Sequence, residues 1–244
     1  MRSMLYRIRN AFIWGFAGIT LLIIFIPYAI IWIVTYPFDR RHYVARKFTQ
    51  WWGAFYFSLL PDTKLQVENK EKLSKGKACI VISNHQSLID ILVLFRTFAY
   101  FIWVSKAENF QVPSLGWVMR MNGYISVKRE DPKSFPKMFE DIKKALANHE
   151  PVMIFPEGTR SGSRKMGRFK EGAFKAAIDN KVPIQPIVID GSYIGLKKSK
   201  NDPEALIKVK ILDPVPYEQF PSYNPSELKE YFRDMIQKEL DKLA

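Results

Sequence analysis

The sequence predicts an α/β fold, a largely parallel sheet flanked by helices, preceded by a membrane-embedded helical hairpin or kinked helix. From about Asp62 onward, short apolar runs alternate with helical patterns, which is typical of such sheets. The strand cores are continuously apolar, as expected for parallel strands covered on both faces. We therefore divide the chain into a membrane anchor with an interfacial helix at 1–60 and an α/β domain at 61–244.

The anchor is predicted from residues 10–38, a run of 29 residues without a charged side chain. At about 1.5 Å per residue this run is roughly 43 Å of helix, more than the ~30 Å of hydrocarbon in a bilayer. A secretory signal peptide would have a shorter apolar stretch and a small-residue cleavage site, and neither is present. Pro27 lies inside the run and is predicted to kink or break the helix.

Basic residues flank the run on both sides, with Arg2, Arg7 and Arg9 before it and Arg40, Arg41, Arg46 and Lys47 after it. Positively charged flanks prefer the cytoplasmic face of a membrane, so a single span would leave one flank on the unfavoured side. We therefore favour a re-entrant hairpin that turns at Pro27 over a single span. The predicted location is the cell membrane, with the α/β domain on its cytoplasmic face.

An amphipathic helix is predicted after the anchor. Its apolar positions recur at helical spacing: Val44, Phe48, Trp51, Trp52, Phe55 and Leu59. Because aromatic and basic side chains are common at headgroup depth, we favour an interfacial helix over an ordinary core-facing one.

Seven strands and five helices are predicted in the α/β domain. The strands are Lys64–Val67, Ala78–Ser83, Tyr100–Val104, Tyr124–Lys128, Val152–Phe155, Ile184–Ile189 and Ile207–Ile211. The helices are Ser87–Phe95, Glu108–Met121, Phe135–Asn148, Phe169–Asn180 and Asn224–Leu243. Asn224 and Glu227 can form a capping box at the start of the last helix.

Charge and cysteine content limit the possible functions. The chain has 37 Lys and Arg against 24 Asp and Glu, a formal net charge of +13, which suits nucleic acid, an anionic lipid surface or a phosphorylated substrate. The long uncharged run argues against nucleic acid. Cys79 is the single cysteine, which excludes an internal disulfide and a CxxC zinc pair, and its apolar surroundings predict a buried, inert thiol.

His85 is the most informative histidine, because it directly follows an apolar strand and precedes a helix, with Asp90 five residues later. Loops at the ends of strands in α/β sheets usually carry the functional site. If Ser87 caps the helix, Asp90 falls at the third helical position and can reach back to the imidazole, as the acid of a catalytic triad does. The alternative is that Asp90 only completes a capping box with Ser87.

Charged residues follow three further strands. The segment FPEGTR, 155–160, ends a strand with a tight loop that bears Glu157 and Arg160, and a guanidinium can hold a phosphate in bidentate fashion. Lys106 and the pair Lys128 and Arg129 lie after two other strands. Basic groups converging from several strand ends would form a phosphate site, whereas each of them alone is more often a solvated charge.

Together these motifs resemble those of the glycerophospholipid acyltransferases, specifically the 1-acylglycerol-3-phosphate acyltransferases. NHQSLID, 84–90, matches the NHxSxxD block, and FPEGTRS, 155–161, matches the third block without exception. GYISVKR, 123–129, is similar to the second block, although Ser126 and Val127 depart from its commoner apolar forms. VPIQPIVI, 182–189, is similar to the fourth. The resemblance covers roughly Lys64 to Ile189.

The resemblance implies residue roles. His85 is the general base and Asp90 its partner, while Arg129 and Arg160 bind the substrate phosphate and Lys106 assists. It also implies that Glu157 contacts the glycerol, that Gly158 keeps the loop close to the ligand, and that Thr159 belongs to the same substrate-binding loop. Backbone N–H groups near Ser87 are expected to stabilise the oxyanion.

The implied reaction moves an acyl chain from a thioester to the sn-2 hydroxyl of lysophosphatidic acid, giving phosphatidic acid, without a cofactor or metal. The donor is acyl-acyl carrier protein or acyl-coenzyme A, and the implied surroundings are an anionic phospholipid membrane, with no nucleic-acid partner. Another lysophospholipid or glycerol 3-phosphate stays open as acceptor, and a basic binding protein stays open as the non-enzymatic alternative. A serine hydrolase would need a GxSxG elbow, which is absent, and a metal hydrolase would need more ligands than His85 and Asp90.

Overall fold

A seven-stranded sheet forms the centre of the protein in the computed structural model, which describes residues 2–60, 63–74, 76–97, 100–194 and 205–243. Its strands occur in the order β1-β7-β6-β2-β5-β3-β4. They are β1 (Thr63–Glu68), β2 (Ile80–Ser83), β3 (Ile102–Lys106), β4 (Ile125–Val127), β5 (Val152–Ile154), β6 (Ile184–Asp190) and β7 (Ala205–Ile211). All seven correspond to predicted strands, so the α/β class is confirmed.

Five neighbouring strands share one direction, because β6, β2, β5, β3 and β4 pair in parallel along the sheet. β7 runs antiparallel to β6, and β1 pairs in parallel with β7. The carboxyl ends of the five parallel strands therefore meet along one side of the sheet, called here the carboxyl edge. Their amino ends meet along the opposite side, the amino edge.

Seven α-helices accompany the sheet in the described ranges. They are α1 (Arg2–Thr35), α2 (Tyr43–Ser58), α3 (Ile89–Arg96), α4 (Leu115–Met121), α5 (Phe135–Ala147), α6 (Gly172–Asn180) and α7 (Pro225–Lys242). The predicted capping box of α7 is present between Asn224 and Glu227. The prediction of one helix over Glu108–Met121 is wrong, because the structure divides this segment into a 3-10 turn at Ala107–Gln111 and α4. Pro113 disfavours helical geometry before it, and Ser114 has a positive φ of 61°.

The side chains of each central strand alternate between two apolar layers. On β2, Ile80 and Ile82 pack into a cluster with α5, α6 and α7, whereas Val81 packs into a second cluster that includes α3 and Phe57 of α2. The sheet is therefore covered on both faces, which explains why its strands read as continuous apolar runs.

Helix α1 continues through Pro27 to Thr35, so the prediction that the chain turns back at Pro27 is wrong. Proline removes one backbone hydrogen bond, but the next residue, Tyr28, is fully buried and bonded to Asn122, and this packing holds the helical path. The helix ends instead before Pro37. The turn at 36–42 closes where Asp39 accepts a hydrogen bond from the backbone N–H of Val44 and His42 adopts a left-handed conformation.

Helices α1 and α2 form an antiparallel pair. Thr20 hydrogen-bonds Tyr56 at one end, Tyr28 contacts Phe48 in the middle, and Trp32 stacks on His42 at the other end. The outer surface of the pair is apolar. The stretch Gly18–Thr35 has a mean hydropathy of 2.3, only 6% of it is buried, and its length and composition would let it cross a membrane. This surface is compatible with membrane association.

Helix α2 also packs against the α/β domain, through a face of small and polar residues. Gly53 lies so close to the ring of Phe95 on α3 that a Cβ atom there would be 2.3 Å from it. The opposite face exposes several large apolar side chains; Trp51, for example, is 56% exposed. This apolar outer face agrees with the interfacial prediction, although Trp52 is buried. A domain boundary at residue 60 stays a prediction, because α2 contributes to the core.

A buried polar network joins the helix pair to the sheet. Arg46 donates from Nη1 to Glu150 Oε1 at 2.5 Å and from Nε to the backbone carbonyl of Asn122 at 2.9 Å. The Asn122 side chain accepts from the Tyr28 hydroxyl at 3.0 Å and donates to the Thr49 hydroxyl at 3.0 Å. Arg46 is therefore not part of a solvated basic flank, as its neighbours in sequence suggested, but an internal partner of Glu150.

Candidate active site

His85 lies in the loop between β2 and α3, at the carboxyl edge of the sheet. Asn84 fixes this loop to β6, since its side-chain amide donates to the Ile189 carbonyl at 2.7 Å and accepts from the Ile189 N–H at 2.9 Å. The loop also holds the segment after β5, because Ser161 N–H donates to the His85 carbonyl at 2.8 Å. The imidazole is thus set on a backbone held from two neighbouring strands.

The contact expected between His85 and Asp90 is present, with 2.7 Å between Nδ1 and Oδ2. Asp90 is fully buried, and the same oxygen accepts from the backbone N–H of Gln86 at 2.7 Å and of Ser87 at 2.9 Å. The carboxylate therefore orients the imidazole and also holds the turn before α3. The capping box with Ser87 is not formed, because α3 begins at Ile89 and the Ser87 hydroxyl accepts from the Ile89 N–H at 3.3 Å. An ionised Asp90 favours the tautomer with the proton on Nδ1, which leaves the lone pair on Nε2.

His85 is 8% exposed, and its ring stacks on the ring of Phe155, with 3.9 Å between centroids and an interplanar angle of 11°. Within the described residues, Nε2 has no hydrogen-bond partner. Stacking restricts the rotation of the ring, and the bond to Asp90 fixes its position in the ring plane. His85 is therefore arranged to accept a proton at Nε2 from a group at the carboxyl edge.

Glu157 connects two loops of the site. Its Oε1 accepts from the His85 N–H and its Oε2 from the Gly167 N–H, both at 2.7 Å. Burial raises the pKa of the Glu157 carboxyl, although the two backbone donors oppose this shift. With both oxygens bonded to backbone amides, the geometry favours a positioning role over the contact with glycerol that the resemblance implies.

The loop after Glu157 needs glycine at one position. Gly158 has a φ of +69°, which side chains rarely adopt, and its N–H closes a turn onto the Phe155 carbonyl at 3.0 Å. A Cβ atom there would also lie 3.2–3.4 Å from the end of Lys170. Thr159 and Arg160 follow on the exposed side of this turn.

The basic residues expected at the strand ends lie close enough to interact. Burial lowers the pKa of the Arg129 guanidinium, Glu108 opposes this shift, and the positive charge of Arg160 lowers the pKa further. Lys106 forms an ion pair with Glu108 at 3.2 Å. Lys106 and Arg129 therefore lie near Glu108, and Arg160 lies near Arg129, at the edge of the sheet that also carries His85, which makes an electropositive region suited to an anionic group.

Some features of the site were not predicted. The stacking of Phe155 on His85 could have been suspected from an aromatic residue at the start of the loop motif, but Lys170 beside Gly158 has no local sequence signal. The N–H groups of Gln86 and Ser87 bond Asp90, so they are already engaged, and the expectation that backbone donors near Ser87 stabilise an oxyanion stays a prediction for the other N–H groups of this turn. Burial raises the pKa of the Cys79 thiol to about 11, in keeping with an inert cysteine.

Metal ligands are not grouped in the described ranges: no three His, Cys, Asp or Glu side chains lie where they could share an ion. His85 and Asp90 bond each other directly.

Comparisons with known proteins identify the family to which the chain belongs. The model of a family described as Acyltransferase matches residues 64–190, just over half of the chain. The chain is 35% identical over 173 residues to a 1-acyl-sn-glycerol-3-phosphate acyltransferase of Helicobacter pylori, covering 70% of each protein. It is 32% identical to one from Chlamydomonas reinhardtii over 78% of this chain, and it spans 57% of the length of that relative.

A solved structure shares the whole fold. The crystal structure of the 1-acyl-sn-glycerophosphate acyltransferase PlsC from Thermotoga maritima superposes with a TM-score of 0.78 at 24% sequence identity. The match covers 100% of this chain and 98% of that one, so it includes the helix pair as well as the sheet.

Proposed function

Because this chain belongs to the acyltransferase family, we propose that it transfers a fatty acyl chain from a thioester to the sn-2 hydroxyl of 1-acylglycerol 3-phosphate. The product would be phosphatidic acid. The observation that carries the proposal is the bond between His85 Nδ1 and Asp90 Oδ2, which leaves Nε2 as a base at the same edge of the sheet as Arg129 and Arg160.

The chemistry follows from this arrangement. His85 Nε2 takes the proton of the acceptor hydroxyl as its oxygen attacks the thioester carbonyl, and Asp90 stabilises the imidazolium that forms. The carbon–sulfur bond then breaks, and the departing thiolate recovers the proton from His85. No covalent intermediate with the enzyme is needed. The phosphate of the acceptor binds Arg129 and Arg160 with help from Lys106, which places the hydroxyl near His85.

The proposal is tested by acyl transfer with the full chain in detergent. A panel of acceptors, consisting of lysophosphatidic acid, other lysophospholipids and glycerol 3-phosphate, is combined with acyl-acyl carrier protein and acyl-coenzyme A. We expect phosphatidic acid from lysophosphatidic acid to be the fastest product. Faster acylation of glycerol 3-phosphate would assign another acceptor, and no transfer with either donor would refute the reaction.

Replacing Arg160 by alanine tests the phosphate site. We expect the KM for lysophosphatidic acid to rise roughly ten- to hundredfold, the worth of a charge-assisted hydrogen bond, with little change for the acyl donor. Arg160→Lys should recover only part of the loss, because an ammonium lacks the bidentate fork. Arg120→Ala, which removes an exposed arginine of α4, is the matched control. An equal rise in KM for both substrates would contradict the assignment.

We also propose that the pair α1–α2 holds the protein in the membrane without crossing it. The half of α1 from Thr20 to Thr35 lies beside α2, and α2 packs on the α/β domain. This half of α1 therefore runs alongside the domain and does not extend away from it. Only residues 2–19 extend beyond the pair. They make about 27 Å of helix, short of the ~30 Å hydrocarbon thickness. α1 is then expected to lie along the membrane surface rather than to point into it, because this orientation keeps both basic flanks on one side, which is expected to be cytoplasmic.

Cysteine labelling in sealed vesicles tests this arrangement. In a Cys79→Ser background, single cysteines at Ser3 and at the exposed Lys77 should react with a membrane-impermeant thiol reagent from the same side. Lys77 reports the side of the α/β domain. Permeabilised vesicles show that both positions can react. Labelling of the two positions from opposite sides would show that α1 crosses the membrane.

A further inference from the structure

A basic cavity lies at the amino edge of the sheet, opposite His85. It has a volume of about 390 Å³, within the range of ligand sites, and residues of the α1–α2 turn, the start of β4 and the end of α5 line it. Its place is set by the fold. Ile125 begins β4, and Glu150 precedes β5 by two residues, so both mark amino ends of parallel strands. This cavity is therefore separate from the site that contains Arg129 and Arg160.

The charges around this cavity are unbalanced. Four lining side chains are cationic, Arg40, Arg41, Arg46 and Lys144, and two are acidic, Asp141 and Glu150. Both acids already have partners, since Glu150 pairs with Arg46 at 2.5 Å and Asp141 pairs with Lys137 at 3.0 Å.

Two arginines are left over. Lys144 is paired with Glu140 at 2.6 Å, whereas neither Arg40 nor Arg41 makes an ion pair or hydrogen bond within the described ranges. Burial and then the charge of Arg46 lower the pKa of the His42 imidazole, so this ring adds little charge at neutral pH. Two arginines that line the same cavity without an acidic partner match the charge of a phosphate, and a guanidinium can bind phosphate oxygens in bidentate fashion.

The surroundings of the two arginines indicate where that phosphate comes from. Phe38, two residues before Arg40, is 91% exposed, and Tyr36 is also exposed, stacked on His42. Exposed aromatic rings beside cationic side chains are typical of the depth of lipid headgroups. The apolar surface of α1 ends at this turn, so an acyl chain could lie along the helix while its headgroup enters the cavity.

We infer that the cavity at the amino edge binds the phosphate of an anionic membrane phospholipid through Arg40 and Arg41. The site is distinct from the proposed substrate site and does not depend on the proposed reaction. A phospholipid held there would anchor the turn of the helix pair at the membrane surface, at the opposite edge of the sheet from the catalytic histidine.

Binding of fluorescent phosphatidylglycerol to the full chain in a neutral detergent, followed by anisotropy, tests the inference. The variant Arg129→Ala/Arg160→Ala serves as background, so that the proposed substrate site does not contribute. Adding Arg40→Ala and Arg41→Ala should weaken binding at least about tenfold, the loss of one charge-assisted contact. Lysines at both positions should keep part of the affinity.

The controls distinguish binding at a specific site from a general effect of positive charge, and binding of a lipid from binding of free phosphate. Lys175→Ala/Lys238→Ala removes two positive charges from exposed positions of α6 and α7 and should leave binding unchanged. Inorganic phosphate should displace the probe far less well than unlabelled phosphatidylglycerol. An unchanged affinity in the arginine variant, or an equal loss in the lysine control, would overturn the inference. Equal displacement by inorganic phosphate would overturn its assignment to a lipid.

Discussion

Replacing His85 by alanine should lower the turnover number about 10²–10⁴-fold, the usual contribution of a general base. The variant loses Nε2, the ring nitrogen that remains without a partner when Nδ1 bonds Asp90 at 2.7 Å. The thermal unfolding temperature should change little, because Asp90 keeps its two backbone donors. The measurement is phosphatidic acid formation at saturating lysophosphatidic acid and thioester, and near wild-type turnover would refute the mechanism.

Two further variants make this result specific. In Asp90→Asn, the amide oxygen can take the place of the carboxylate oxygen that bonds Nδ1 and both backbone N–H groups, so the geometry is kept, but the negative charge that stabilises the imidazolium is lost. Turnover should fall while the KM for lysophosphatidic acid stays near its original value. Ser87→Ala should cost far less than His85→Ala. A loss as large as that of His85→Ala would point to a serine nucleophile instead.

Replacing Glu150 by alanine should lower the free energy of unfolding by about 3–5 kcal/mol, the typical cost of leaving one charge of a buried pair without its partner. Arg46 and Glu150 are both nearly inaccessible to solvent, and Tyr100 donates a further hydrogen bond to Glu150 at 2.9 Å. The measurement is denaturant unfolding of the full chain in detergent.

An exposed ion pair provides the matched control. Lys72 and Asp213 lie 2.7 Å apart, but the side chain of Asp213 is 76% exposed, so Asp213→Ala should cost less than about 1 kcal/mol. The double variant Arg46→Met/Glu150→Leu should be more stable than Glu150→Ala, since it removes both charges together. If Glu150→Ala were no less stable than Asp213→Ala, the network would not hold the helix pair to the sheet.

The sequence contains most of the information that determines the sheet. Each strand is a short apolar run, whereas in each helix the apolar residues recur at helical spacing. The type of each element therefore follows from the local pattern. The placement of His85 at a strand end also follows, because parallel strands gather their following loops at one edge. The reversed direction of β7 was not predicted, since pairing direction depends on a neighbour distant in sequence.

Features set by tertiary contacts were not predicted. The local rule that proline kinks or breaks a helix predicts a turn at Pro27, yet the buried Tyr28 beside it keeps α1 continuous. Arg46 was grouped with the basic flank because its neighbours are basic, but its partner is 104 residues away in the chain. The two backbone bonds of Glu157 likewise join loops that only the fold brings together.

The network around Arg46 has a consequence for how substrate reaches the enzyme. Since α2 packs directly on the domain and Arg46 bonds Glu150, the helix pair is not joined to the sheet by a loose tether. A protein fixed in this way keeps one tilt and one height relative to the lipid surface. With α1 held in the membrane and a lipid as acceptor, as proposed above, the search for the acceptor would be two-dimensional, by lateral diffusion within one leaflet. Encounter frequency would depend on the mole fraction of acceptor in that leaflet rather than on its concentration in bulk water.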